Sequence, residues 1–296
     1  WTLDPDICRN CKARIFAECH GDRLPDGDRR LRLMFATDGS EYSRGPRAVA
    51  LDLASRLGVA LDVMTVTAPD AEPERARQRL ELVHDEAAPL GVKCHDLIRQ
   101  GTDPIRAVID AARDADSQLL VIGRTPPKGA AGERKTGPHA TRLIDETHGH
   151  VLVVPKDAHL PRQRILVGYD ANPSSQPALE IAGQLAKALK LPVTLVSAIK
   201  EGSPAASVLT ELAEEAAAGL RLDGIDADIR IIPGSPASVM LDAAESLGAD
   251  LIVLGKRQGG LSRLLPGSPT DLLIGAARWP VLIAKAGSAA TGPQRG

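Results

Sequence analysis

Short apolar runs separated by amphipathic stretches make up most of the chain from residue 31 onward. LRLMFA, LDVMTV, LLVIG and VLVVP follow one another in the first half; RILVGY, VTLVSA, IRIIPG, LIVLG and VLIAK follow in the second. Such runs, rich in Val, Ile and Leu, are the pattern of strands covered on both faces of a parallel sheet. Residues 43–57 and 74–89 show helical periodicity between them, as do residues 175–190, 205–221, 237–247 and 270–278. Strand–helix alternation of this kind predicts right-handed βαβ crossovers and an open, doubly wound α/β fold. Residues 157–162 (DAHLPR) read as a linker, with Pro161 just ahead of the next strand.

The two halves are copies of one another. DPIRAVIDAARDADSQLLVIG, ending at Gly123, aligns with SPASVMLDAAESLGADLIVLG, ending at Gly255, so that Pro104 meets Pro236 (236 − 104 = 132). The same offset carries Asp38, closing LRLMFATD, onto Asp170, closing RILVGYD (170 − 38 = 132). Several matches at one offset identify a tandem duplication. Beyond the fourth strand Gly137 maps to Gly267 and Val151 to Val281 (267 − 137 = 130), so the loop ahead of the last helix is two residues shorter in the second copy. The expected organisation is an extension over 1–30, domains over 31–156 and 163–286, and a flexible tail over 287–296.

Composition agrees with this reading. Aromatic residues are 2% of the chain against 43% hydrophobic, which means an aliphatic core. A formal net charge of -2 offers nothing to nucleic acid or an anionic membrane. No run of about 18 apolar residues spans a bilayer, and the opening WTLDPDICRNCK has no apolar signal-peptide region. The chain starts at Trp1 and not Met, as a trimmed chain or a piece of a longer one would. Four cysteines, three of them before residue 20, do not form a disulfide framework for a chain of this size. A reducing, cytoplasmic setting is the expectation.

Ligands of open α/β sheets bind beyond the C-terminal ends of the strands, at the point where strand order reverses. Asp38-Gly39 and Asp170-Ala171 follow the first strand of each copy. After the fourth strand come glycine-bearing loops, from Gly123 to Gly137 and from Gly255 to Ser268. In the second, GKRQGGLSRLLPGSP, Gly259 and Gly260 allow close backbone approach, Lys256, Arg257 and Arg263 bring positive charge, and Ser268 stands at a helix N-cap. An acid for ribose hydroxyls beside backbone N–H groups for phosphate points to a nucleotide. The bland alternatives are a turn aspartate and a solvated connection. Neither GxxxxGK[ST] nor GxGxxG occurs.

On these residues the chain resembles the universal stress proteins in their tandem two-domain form, over about residues 31–156 and 163–286. The resemblance rests on the TDGS and YDAN turns, on GSPASVMLDAAESLGADLIVLG, and on Gly267-Ser268 ahead of a helix and a final VLIA strand. It implies a five-stranded, adenine-nucleotide alpha-hydrolase-like sheet in each domain, and pairing of the domains through their last strands. In the ATP-binding branch it implies a G-x2-G-x9-G-[ST] phosphate loop. Both copies depart from that loop. The second has Gln258 at the inner glycine position, followed by Gly259-Gly260, and is about one residue short; the first has Pro126 there and Pro138 in place of the hydroxyl residue. Proline removes an N–H donor, although it is also an ordinary first residue of a helix.

The resemblance therefore implies ATP or a related adenine nucleotide in the second domain, held by Asp170, Ala171, Gly255, Lys256, Gly259, Gly260, Gly267 and Ser268. A second, impaired site would comprise Asp38, Gly39, Gly123 and Gly137. The rival is a nucleotide-free member acting as a scaffold or regulator for an unknown protein partner, with homo-oligomers open to either. No general base or metal-carboxylate set stands beside the loop, so hydrolysis would be slow at most.

Cys8, Cys11, Cys19 and His20 offer a four-ligand zinc set. On one continuous helix Cys8 and Cys19 would lie about 16 Å apart, too far to share an ion. They would then be packing residues, with redox chemistry a third reading. His139, His148 and His150 gather around one helix with Asp145, and are read as separate surface histidines ahead of a metal or pH-sensitive group.

Overall fold

Each half of the chain builds the same nine elements. In the first they are β1 (Leu33–Ala36), α1 (Arg44–Leu57), β2 (Leu61–Thr67), α2 (Pro73–Ala87), β3 (Cys94–Gln100), α3 (Pro104–Asp114), β4 (Leu119–Gly123), α4 (Pro138–Glu146) and β5 (His150–Val154). In the second they are β6 (Ile165–Gly168), α5 (Ser175–Leu189), β7 (Val193–Ile199), α6 (Ala206–Leu222), β8 (Ala227–Pro233), α7 (Pro236–Ser246), β9 (Leu251–Gly255), α8 (Pro269–Ala276) and β10 (Val281–Ala284). The computed structural model describes residues 31–69, 73–124, 136–256 and 264–286.

The strands form one ten-stranded sheet in the order β3-β2-β1-β4-β5-β10-β9-β6-β7-β8. Pairing is parallel within each half. At the centre β5 and β10 run antiparallel, with Leu152 opposite Leu282. These two are counterparts in the duplication (282 − 152 = 130), so a local two-fold axis passes between them. Antiparallel pairing is what such an axis requires, because each strand must map onto the other with its direction reversed. The pairing through last strands implied by the resemblance is thus present as a strand-to-strand seam.

The pleat of each strand sends alternate residues to opposite faces. Leu33, Phe35, Leu61 and Val63 enter one core with Val49 and Leu53 of α1 and Ile181 and Leu185 of α5. Met34, Leu120 and Ile122 enter the other with Val108 and Ile109 of α3 and Met240 of α7. Both cores run through both halves, since Leu152 and Leu282 share the first and Val151 and Val281 the second.

Two elements differ from the sequence pattern. β3 (CHDLIRQ) is polar and largely exposed, so no apolar run marks it; it is an edge strand. Its counterpart β8 is displaced from the repeat by one residue: Cys94 and Ala227 take equivalent registers, and 227 − 94 = 133. The helix expected over 74–89 ends at Ala87 and tightens into a 3-10 turn over Ala88–Leu90, where Pro89 lacks the N–H that would continue it.

The seam carries buried polar groups. Lys285, 8% exposed just beyond β10, donates its ammonium to Thr147 O, and its backbone N–H donates to His150 Nδ1 at 3.1 Å. Burial, reinforced by the Lys285 charge, pushes the His150 pKa down to about 4. An Nδ1 that accepts a hydrogen bond must be unprotonated, so geometry agrees with that direction. Because this folded value lies below the unfolded 6.5, the unfolded chain binds the extra proton between pH 4 and 6.5. Stability therefore rises with pH across that window, by roughly 3 kcal/mol from this group. Urea unfolding at half-unit pH steps is expected to show the slope, and His150→Gln, which keeps an acceptor without titrating, to flatten it. An unchanged slope would refute the assignment.

Candidate functional site

Strand order reverses between β1 and β4, and both copies place a turn and a glycine there. In the first half the turn after β1 is closed by Asp38, whose Oδ1 accepts from Ser40 N–H at 2.9 Å and Ser43 Oγ at 3.0 Å. Burial raises the Asp38 pKa, but the bonds from Ser40 and Ser43 outweigh it and leave the carboxyl below its ordinary value. In the second half Asp170 engages both its oxygens locally. Oδ1 accepts from Ser175 Oγ at 2.7 Å and Asn172 N–H at 3.2 Å; Oδ2 accepts from Asn172 Nδ2 at 2.7 Å. The next residue is left-handed in each turn, Gly39 at φ 73° and Ala171 at φ 57°.

Gly123 and Gly255 have a packing reason to lack a side chain. A Cβ on Gly123 would lie 2.9 Å from Tyr42 O, and one on Gly255 only 1.8 Å from Ser174 O. The strand end is pressed against the turn that starts the first helix of its half, so these glycines serve the fold whatever the site binds.

A cleft of about 210 Å³ opens at the first-half switch point, walled by Thr37, Asp38, Tyr42, Ile105, Val108 and His139, with Gly123 at its edge. At the equivalent point of the second half Leu254 replaces Ile122 and the longer Met240 replaces Val108 (254 − 122 = 132, 240 − 108 = 132). Both pack against Gly168, where an added Cβ would meet Leu254 Cδ2 at 2.6 Å and Met240 Cε at 3.6 Å. This cleft lies in the half whose loop departs further from the phosphate-binding pattern.

The last helices also start differently. α4 begins with Pro138 at its first position, after Gly137, which has no side chain to cap it. α8 is capped by Ser268, whose Oγ accepts from Asp271 N–H at 3.2 Å, with Pro269 opening the helix. Gly267, at φ 78°, donates its N–H to Asp271 Oδ2 at 2.8 Å. The amide at Gly267 that sequence assigned to phosphate is engaged by a carboxylate of its own helix.

The basic residue that follows each glycine crosses the seam. Lys256 Nζ donates to Ile144 O and Asp145 O, both at 3.1 Å, and lies 3.0 Å from Asp145 Oδ1. Arg124, its counterpart (256 − 124 = 132), donates to Ile274 O at 2.8 Å, to Gly275 O at 3.2 Å and to Ala277 O. Each cation thus satisfies carbonyls at the C-terminal end of the other half's last helix, where positive charge is favoured. Lys256 is directed at α4, not at its own switch point. Sequence reasoning missed Arg124 and Asp271, and grouped Asp145 with the histidines instead of with Lys256; a cation repeated at offset 132 was the available signal.

Gly259 and Gly260 lie outside the described residues, as do Arg257, Gln258, Arg263 and Pro126. Cys8, Cys11, Cys19 and His20 lie outside them too, and among the described residues no group of three or more His, Cys, Asp or Glu is placed to hold a metal ion. His139 borders the cleft while His150 and Asp145 belong to the seam, so these residues serve separate places. No helix among the described residues is long and apolar enough to cross a membrane.

The left-handed residues generate a paired expectation. An L-residue at positive φ costs about 1–2 kcal/mol that glycine avoids. Ala171→Gly should stabilise the chain by about 1 kcal/mol, and Gly39→Ala should destabilise it by more, since the new Cβ would also meet Arg79 Cγ at 2.7 Å. Urea midpoints check both; a stabilised Gly39→Ala would refute the turn geometry.

Comparison with known proteins matches the profile of the universal stress protein family to residues 30–155 and again to 161–285. A universal stress protein of Mycolicibacterium smegmatis is 29% identical over 241 residues, 74% of this chain and 80% of that one. The stress response protein NhaX of Bacillus subtilis is 29% identical over 161 residues, 41% of this chain and 97% of its own. The crystal structure of a universal stress protein from Archaeoglobus fulgidus superposes with a TM-score of 0.71 at 22% identity, covering 87% of this chain and 97% of that one, a likeness of fold.

Proposed function

Because the chain belongs to the universal stress protein family, we propose that it binds ATP or a related adenine nucleotide, with base and ribose in the first-half cleft, in a cytoplasmic stress response. The cleft at the β1/β4 switch point is the observation that carries this reading. Asp38, kept ionised by Ser40 and Ser43, is the acceptor for a ribose hydroxyl. Ile105 and Val108 supply an apolar wall for a base. The start of α4, uncapped by any side chain of Gly137, offers backbone amides to phosphate. The described volume is below the roughly 300–1,000 Å³ of whole small-molecule sites. It suits part of a nucleotide, with the phosphates toward Gly137.

A second reading keeps the nucleotide in the second half, around Asp170, Ala171, Gly255, Gly267 and Ser268. What favours it is Gly267-Ser268, the closer match to the G-[ST] end of the family loop. Against it stand the engagement of Asp170 by Asn172 and Ser175 and of Gly267 by Asp271. A third role, protein-interaction scaffold, needs no nucleotide at all.

Calorimetric titration with ATP separates the three. A charged hydrogen bond contributes about 1.5–3 kcal/mol, so Asp38→Asn is expected to weaken binding at least about tenfold and Asp170→Asn less than about twofold. The reverse ranking moves the nucleotide to the second half. A wild-type chain with no affinity below the millimolar range contradicts nucleotide binding and leaves the scaffold role.

A further inference from the structure

Two walls of the first-half cleft are held by the second half. Gly123 leads directly into Arg124, whose guanidinium is fixed by carbonyls of Ile274, Gly275 and Ala277 at the end of α8. Elsewhere in the cleft's lining, Thr136 precedes Gly137 and the start of α4, which contributes His139 and Leu143. Thr136 N–H donates to Asp271 Oδ1 at 2.9 Å, and Thr136 Oγ to Asp271 O at 3.2 Å. Asp271 is 3% exposed and its other oxygen holds Gly267 N–H, so it cannot turn away without stranding the buried Thr136 donor and releasing the Gly267 one. The arrangement is reciprocal: Lys256 rests on the end of α4, and Asp145 of α4 accepts Leu264 N–H at 3.0 Å.

We propose that Arg124 and Asp271 are positioning residues through which α8 of the second half sets two parts of the lining of the first-half ligand cleft, so that this cleft is complete only in the joined chain. The inference rests on the nucleotide reading for its affinity consequence, not for the positioning itself. α8 touches no ligand in this scheme; it fixes Arg124, next to Gly123 of the lining, and Thr136, which leads into α4 with His139 and Leu143 of the lining. The duplication supplies a control for the cation. Lys256 does in one direction what Arg124 does in the other, so a lysine at 124 should serve.

The test uses the full chain, with hydrogen exchange over residues 136–143 and ATP titration as separate readouts. Arg124→Met and Asp271→Asn are each expected to speed exchange of 136–143 at least about tenfold and to weaken ATP at least about fivefold. Exchange in β7 should stay unaltered, which excludes general loosening. Arg124→Lys should restore both readouts to within about twofold of wild type, which a mere filler of space at 124 would not. Exchange of 136–143 unaltered in both disruptive variants would overturn the proposal, as would altered exchange with ATP affinity intact. If the wild type binds no ATP, the nucleotide reading fails and the exchange arm alone decides the positioning. If Asp271→Asn does not fold, Thr136→Ala, which removes only the hydroxyl bond to Asp271 O, takes its place, with the same direction of change expected.

Discussion

The antiparallel pairing of β5 with β10 is the constraint on which the rest of the molecule depends. A five-stranded parallel sheet ending at β5 would leave a row of unpaired backbone groups on a strand whose side chains are almost wholly buried. Apposing the two copies removes both edges at once and merges two half-cores on each face of the sheet. The outer edges, β3 and β8, are then the only ones the sheet presents among the described residues, and polar residues line the first of them. Pairing Leu152 with its own counterpart Leu282 also dictates what else meets across the axis: the ends of α4 and α8, and the residues just after β4 and β9.

That geometry explains why a cation after the switch-point glycine need not be a phosphate ligand. Each last helix leaves carbonyls without intrahelical partners at its C-terminal end, and the axis brings those carbonyls to the residue after the opposite glycine. Arg124 and Lys256 meet the same need by different chemistry, one guanidinium spanning three carbonyls and one ammonium shared with the Asp145 carboxylate. The seam thereby draws on residues that a chain-local reading gives to the ligand. What remains for the ligand in the first half is an open cleft beside Asp38.

The fold class was legible because parallel strands and their covering helices write strong patterns into the sequence, and the duplication writes them twice. The family match over both halves agrees with the resemblance drawn from the TDGS turn and the Gly267-Ser268 loop end. β3 was not legible because an exposed edge strand has no apolar run, and the one-residue shift at β8 hid its counterpart. The candidate site was legible only in position. Asp38, Gly123, Asp170 and Gly255 all stand at switch points, as their places after strands require. Direction was not: that Lys256 turns toward α4, or that Asp271 takes the Gly267 amide, depends on contacts from residues more than a hundred positions away or on a helix cap seen only in three dimensions. Glycine is ambiguous for a further reason, since close backbone packing and close ligand approach demand the same residue, and Gly255 is explained by Ser174 O alone.

The account stands or falls on the two halves being one cooperative body joined at the seam. Native-state hydrogen exchange in increasing urea tests this most directly, followed at the amides of Val151–Val153 in β5, Val281–Ile283 in β10, and the inner strands β1 and β6. Because the cores are continuous across the sheet, all four strands should merge into one opening with a single free energy and a single urea slope. Exchange of β1 and β5 through a lower-energy opening that leaves β6 and β10 protected would contradict it, and would make the halves independent domains in contact.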